Sequence, residues 1–170
     1  MSQIVYTANI DTPLGVVRVF AVDNALIGLW FADRCPFSIE YGTPVSIHPL
    51  FSNIHEWLDV YFAGQVPSIP ILFKTNGTPF QETVWDLLKK IPYGKTTSYG
   101  ELAREAASCM GISRMSAQAV GGAVGRNPLS IIIPCHRVIG KDGGLTGYGG
   151  GLERKSFLLR LERCEGVAFI

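Results

Sequence analysis

Cys135, His136 and Arg137 stand together directly after the run Ile131, Ile132, Ile133 and Pro134. A thiol attacks only as its thiolate, and basic or cationic neighbours lower the cost of forming it. Pro134 fixes its own φ and brings no N–H, so the backbone just before the cysteine is restricted. Neighbours on extended backbone point to opposite faces. A water between thiol and imidazole therefore fits this spacing as well as direct contact does. A lone cysteine is more often a buried structural residue, but this one falls in a basic, proline-punctuated turn after the apolar run, not inside it. A carboxylate completes the set. Glu162 sits among Leu158, Leu159 and Leu161, on the apolar shoulder of an amphipathic helix expected over residues 152–163. A half-buried carboxylate is costly unless paired. Pairing with a histidine would give a Cys–His–Glu relay on the logic of the catalytic triad; pairing with Arg126 or Arg163 would make it a surface residue.

Residues 140–151 hold seven glycines and Tyr148. Such a loop can wrap a planar ligand with backbone groups, Tyr148 serving as stacking face or donor. The plain alternative is a flexible surface loop. No GxxxxGK[ST] motif is present, which excludes a P-loop nucleotide hydrolase.

These residues need elements to position them. Thr78 and Pro79 suit the N-cap and first position of a helix that Pro92 and Gly94 end. Ser98, with Glu101 three residues on, predicts a second capped helix. A turn at Cys109, Met110, Gly111 and Ile112 leads to Ser113 and the run RMSAQAVGGAVG, so that two helices read as a helix-turn-helix. The small side chains of the second helix would admit another surface closely, or pack tightly against a neighbour. Residues 131–133 read as a short buried strand. Upstream, residues 3–10, 14–20 and 25–32 are rich in β-branched and aromatic side chains and predict an antiparallel meander. Leu50, Ile54, Trp57, Leu58 and Tyr61 recur at helical spacing and end at Gly64. Pro67, Pro70, Asn76 and Gly77 mark a linker. The expectation is an α+β protein with a strand-rich N-terminal domain over 1–75 and a helical domain over 76–170.

Charge follows that division. The 170 residues carry 15 basic and 14 acidic side chains, yet residues 1–75 are net −3 and residues 76–170 net +4. Residues 111–160 hold seven basic side chains against two acidic. A polyanion binder needs such a bias, although a chance imbalance on a solvated face would look the same. A hydrophobic content of 47% with 17% charge excludes a disordered chain. Glycine, at 19 of 170, runs above the usual share of about 7%. No apolar run reaches the roughly 18 residues of a membrane span. The opening MSQIVYTANID has no charged and apolar leader pattern. Cys35, Cys109, Cys135 and Cys164 form no CxxC pair, so neither a disulfide scaffold nor a cysteine-rich zinc site is expected, and a reducing cytoplasm is the default. Cys35, His48 and His55 are too few and unpatterned for a metal site, and no cofactor is expected.

The string PCHRV, Arg126, Asn127 and Pro128 with the asparagine eight residues before the cysteine, IPYGKTTSYGELA upstream and GYGGGLERKSFLLRLE downstream together resemble the O6-alkylguanine-DNA alkyltransferase family over residues 78–163. The strand-rich first part is similar to that family's ribonuclease-H-like N-terminal domain, and the helix-turn-helix to its winged-helix-like DNA-binding domain. The resemblance implies direct repair of double-stranded DNA: O6-alkylguanine, and O4-alkylthymine with it, is flipped out of the stack. Cys135 takes the alkyl group irreversibly, once per protein molecule, and the protein acts as a monomer. By the same resemblance His136 is the base through a water, Glu162 orients it and Asn127 holds the cysteine segment. Tyr99 hydrogen-bonds guanine N3, the carbonyls of Cys135 and Val138 read the exocyclic amine, and Tyr148 and the Gly149 amide face O6. Gln118, Ala119, Gly121 and Arg126 lie on the DNA-facing helix and its end, and Arg137 has a structural or phosphate-facing role.

One departure stands out. Many family members have arginine just before AVGG, where this chain has Gln118; glutamine can also enter the stack, and a weaker flip is expected. No four-cysteine zinc domain or araC-like module is present, so the regulator type is not expected, and cysteine rather than tryptophan at the nucleophile position sets the chain apart from the non-catalytic alkyltransferase-like proteins. Two other classes remain at this stage. A non-catalytic lesion binder would function without Cys135, and a thiol hydrolase would turn over acyl substrates without DNA.

Overall fold

The structure is a computed structural model that describes residues 4–169. It divides into two compact units, Met1–Thr75 and Asn76–Ile170. In the first, β1 (Val5–Ile10), β2 (Val17–Val22) and β3 (Ala25–Phe31) form the antiparallel meander. The expected start at Gln3 lies outside the described residues. Asp23 makes the β2–β3 turn in the left-handed conformation, at φ 53°, which Asp tolerates because its short side chain bonds locally. A fourth strand, β4 (Thr43–Pro44), joins the far side of β1 in parallel, giving the order β3-β2-β1-β4. Val17, Val19, Phe20, Leu26, Leu29 and Phe31 are buried on the sheet. The helix α1 (Pro49–Phe62) buries Leu50, Phe51, Ile54, Leu58 and Tyr61, the spacing of one helical face.

The second unit is mainly helical. Thr78 caps α2 (Pro79–Lys89) and Ser98 caps α3 (Tyr99–Cys109), each through a reciprocal capping box, with Gln81 and Glu101. The next helix differs from expectation. It is α4 (Ala117–Gly125), and its cap is Ser116, whose hydroxyl accepts from the Ala119 N–H at 3.0 Å; Ser113 lies in the connection. The connection between the two helices therefore runs over 110–116. Trp85 of α2 donates its indole N–H to the Ala123 carbonyl at 3.0 Å and fixes α4 to its neighbour. Two-residue strands β5 (Thr97–Ser98) and β6 (Val138–Ile139) pair in parallel. The final helix, α5 (Leu152–Leu161), stops one residue short of Glu162, which is its C-cap rather than part of its face.

The residues expected as a strand, 131–133, form a turn. Ile131 is held at φ 70°, a genuine outlier for a β-branched side chain. Ile133 N–H returns to the Leu129 carbonyl at 2.9 Å. The first half of the glycine-rich loop packs against the chain's own end. Ala168 N–H donates to the Gly143 carbonyl at 2.8 Å, and Ile139, Leu145, Leu159 and Cys164 form a buried cluster with Val167 and Phe169 against it. A Cβ on Gly143, already at φ 82°, would stand 2.4 Å from the Gly166 carbonyl oxygen, so only glycine fits there. Among the described residues, no helix is long and apolar enough to cross a membrane.

Candidate active site

Cys135 opens a short 3-10 turn, Cys135–Arg137, that leads into β6. Asn127, just past the end of α4, holds this segment. Its Oδ1 accepts from the Leu129 N–H at 3.0 Å. Its Nδ2 donates to the carbonyls of Ile133 at 2.8 Å and Leu129 at 3.3 Å, and to Cys135 Sγ at 3.0 Å. One amide thus closes the turn that strains Ile131 and ends on the sulfur. Cys135 is 5% exposed. Burial pushes its thiol above the ordinary value, while the Asn127 donor and the Lys155 ammonium pull the other way. The resting group is a thiol, and it needs a base.

His136 is next in sequence. The tight turn removes the difficulty raised by extended geometry: at about three residues per turn, consecutive side chains diverge by roughly 120° and can reach one neighbour. His136 is fully buried, and its Nε2 lies 2.7 Å from Glu162 Oε1. Arg137 grips the same carboxylate, with Nε to Oε2 at 2.8 Å and Nη2 to Oε1 at 3.0 Å. Neither surface partner, Arg126 or Arg163, is the one that pairs with Glu162, and Arg137 faces inward rather than toward a phosphate. The Gly94 N–H adds a fourth donor, at 3.1 Å to Oε2. Gly94 is at φ 74°, and a Cβ there would meet the Glu162 carbonyl oxygen at 3.0 Å. Burial opposes ionisation of Glu162, but the donors from His136 and Arg137 reverse that and hold its carboxyl well below the usual carboxylate range. For His136, burial dominates and lowers the imidazole pKa. Glu162 opposes that shift, and Arg137 and Lys155 add to it.

The other expected site residues fall into two groups. Tyr99, at the start of α3, donates its hydroxyl to the Thr146 carbonyl at 2.8 Å, with the Gly147 carbonyl at 3.3 Å. Burial raises its pKa. Tyr148 sets its ring edge-on to His136, centroids 6.4 Å apart. Its hydroxyl oxygen is buried and makes no hydrogen bond among the described residues, and burial holds its pKa well above 10. The Val138 carbonyl accepts from Lys155 Nζ, and the Cys135 carbonyl from the Val138 N–H. Outside this cluster, Gln118 and Ala119 are exposed at the start of α4, and Arg126 at its end bonds back to the Gly122 carbonyl at 3.3 Å. A Cβ on Gly121 would reach the Tyr99 ring at 3.7 Å, so this glycine borders the site, and one on Gly149 would meet the Gly125 carbonyl at the end of α4 at 3.8 Å.

Sequence reasoning missed Lys155. Its side chain is fully buried, and its ammonium donates to the carbonyls of Val138, Thr146 at 2.9 Å and Gly147 at 3.0 Å. Burial drops its pKa to about 8. The signal was present: Lys155 precedes Leu158 and Leu159 by three and four residues and so lies on the buried stripe of α5. Among the described residues, no group of three or more His, Cys, Asp or Glu side chains is placed to hold a metal ion.

A buried thiol with an amide donor on its sulfur, followed in sequence by a histidine paired with a carboxylate, is the residue set of a nucleophilic cysteine site. Comparison with known proteins makes the class specific. Residues 79–164 match the family described as 6-O-methylguanine DNA methyltransferase, DNA binding domain. Methylated-DNA–protein-cysteine methyltransferases from Methanosarcina acetivorans and Mycolicibacterium paratuberculosis are 47% and 42% identical, over 92% and 91% of this chain and 97% and 90% of theirs. The crystal structure of Mycobacterium tuberculosis OGT in complex with DNA matches with a TM-score of 0.81 at 40% identity, covering 96% of both chains. The chain belongs to the methylated-DNA–protein-cysteine methyltransferase family.

Proposed function

We propose that this protein repairs alkylated DNA directly, moving the alkyl group from O6 of guanine to the sulfur of Cys135. Family membership carries the reaction type, a suicide methyl transfer from DNA to a cysteine of the protein. The observation that carries the residue assignment is a buried thiol that accepts from Asn127 and is followed directly by His136, itself paired with Glu162. In the reaction the sulfur attacks the alkyl carbon, a C–S bond forms and the C–O6 bond breaks. His136 has Nε2 on Glu162, so the thiol proton passes to Nδ1 through a water. Guanine leaves with the bonding electrons, and a donor that meets its developing charge lowers the barrier. The Tyr99 hydroxyl is that donor, turning from the Thr146 carbonyl to guanine N3, and the free Tyr148 hydroxyl with the Gly149 amide faces O6. The carbonyls of Cys135 and Val138 retain lone pairs for the exocyclic amine. O4-alkylthymine presents the same alkyl–oxygen bond and belongs to the same reading.

The reading extends to the architecture and to the setting. The second unit, 76–170, is the DNA-binding alkyltransferase domain, a winged-helix-like fold in which α4 brings Gln118, Ala119, Gly121 and Arg126 to the duplex and the lesion flips toward Cys135. Its net charge of +4 supports this. The first unit is ribonuclease-H-like; a three-stranded meander extended by a parallel β4 and followed by α1 supports that assignment. Every group the relay needs comes from one chain, in line with a monomer, and four free cysteines suit a reducing cytoplasm. The test is stoichiometry. With excess duplex carrying O6-methylguanine, the guanine restored equals the protein added and then stops. Repeated turnover, or no restoration, overturns the reading.

A further inference from the structure

The relay leaves two buried cations without a task. Lys155 ties loop carbonyls together. Arg137 is different, because its guanidinium lies on the relay's own carboxylate. It meets both Glu162 oxygens, at 2.8 and 3.0 Å, and shares Oε1 with His136. Its remaining arm donates to the Ile91 carbonyl at 2.6 Å, and its Cζ lies 5.7 Å from the Tyr93 ring centroid. Guanidinium geometry matches a carboxylate in this forked way and is always charged.

A carboxylate shared with a permanent cation acts on an imidazole differently from one the imidazole owns alone. Alone with Glu162 in a buried site, His136 would be drawn into an imidazolium–carboxylate pair and would arrive already protonated. With Arg137 in place the carboxylate charge is already balanced, and a proton on His136 would add a second cation against one anion where water is excluded. We propose that Arg137 is a positioning residue that neutralises Glu162 and so keeps His136 a neutral base at physiological pH. This rests on the alkyl-transfer reading of Cys135. The charged and titratable groups that face the ring are Glu162 at the end of α5, Lys155 within α5, Arg137 of its own turn, and Tyr148 from the loop, with Cys135 the residue before it. Of these, Glu162 favours protonation. Burial, Arg137 and Lys155 all oppose it.

The test is an NMR titration of the imidazoles in the intact protein. It has three histidines, and His136→Gln identifies the signal. The wild-type His136 midpoint is expected below the ordinary value of about 6.5. Arg137→Met raises it by about one unit or more, within the range for loss of a close charge. Arg137→Lys keeps the cation and restores most of the difference. The acid limb of single-turnover methyl transfer moves with the midpoint, to higher pH in the methionine variant and back in the lysine variant. A purely structural role would lower the folded fraction without moving either curve. A wild-type midpoint at or above about 6.5 overturns the proposal, as does a folded Arg137→Met protein with both curves unmoved. If Arg137→Met does not fold, the wild-type midpoint decides. Absence of methyl transfer by the wild type would sink the alkyl-transfer reading, while the NMR midpoints would still report whether Arg137 sets the charge of the ring.

Discussion

Replacing Asn127 with alanine separates what the amide does for the turn from what it does for the sulfur. Four hydrogen bonds disappear, but the groups left behind differ. The Ile133 carbonyl keeps the Cys135 N–H and the Leu129 carbonyl keeps the Ile133 N–H. Only the Leu129 N–H loses its acceptor outright, and a buried orphaned donor costs about 1–3 kcal/mol. The turn must also keep Ile131 at φ 70° without its main brace, and such a conformation stores about 1–3 kcal/mol. A loss of about 2–4 kcal/mol in urea unfolding is therefore expected, a large share of an ordinary domain's stability of about 5–15 kcal/mol. Bonds to charged groups are worth about 1.5–3 kcal/mol, so losing the donor to a forming thiolate raises the thiol pKa by about one unit or more. Single-turnover methyl transfer at neutral pH should slow by about tenfold or more in the fraction that stays folded. A variant that loses under about 0.5 kcal/mol and reacts at the wild-type rate would refute the idea that Asn127 organises the nucleophile.

Three further outcomes follow from the same geometry. Glu162→Gln leaves Arg137 as an uncompensated buried cation and should cost about 3–5 kcal/mol. Because the carboxyl pKa is depressed on folding, its contribution is complete above the unfolded value of about 4.3 and is lost as pH falls below it, so urea midpoints of the glutamine variant should be flatter than wild type on the acid side. Lys155→Met removes an ammonium whose pKa is pushed down to about 8. The penalty for burying that charge is full below pH 8 and fades as pH rises toward about 10.4, so wild type should gain stability relative to the variant over that window, read from urea unfolding. Gln118→Arg should tighten binding to duplex DNA and speed repair, measured by titration and quenched-flow; no gain in either would show that Gln118 is not what limits lesion capture.

Local signals carried well from sequence to structure. Thr78 with Gln81 and Ser98 with Glu101 act within one turn, and the helix starts they mark are the ones observed. The start of α4 was less exactly marked: the run after Ser113 reads as helical, and the helix begins only after Ser116, whose hydroxyl caps it. The apolar run 131–133 misled because periodicity does not separate a buried strand from a buried turn, and the turn depends on Asn127, whose bonds reach forward by up to eight residues. The pairing of Glu162 with His136 was legible from the cost of a buried carboxylate. The grip of Arg137 on the same carboxylate was not, because extended backbone would aim it away from His136, and the 3-10 turn that brings both to Glu162 leaves no mark in residue spacing. A two-residue strand such as β4, and a terminal segment that covers the glycine-rich loop, are tertiary events with no periodic signature.

The central claim is that one thiol among four, Cys135, receives the alkyl group. Peptide mass mapping after reaction with a duplex carrying isotopically labelled O6-methylguanine tests it most directly. The account predicts one labelled methyl per protein, all on the peptide that contains Cys135. Label on Cys35, Cys109 or Cys164 instead, or on none of the four, would contradict it.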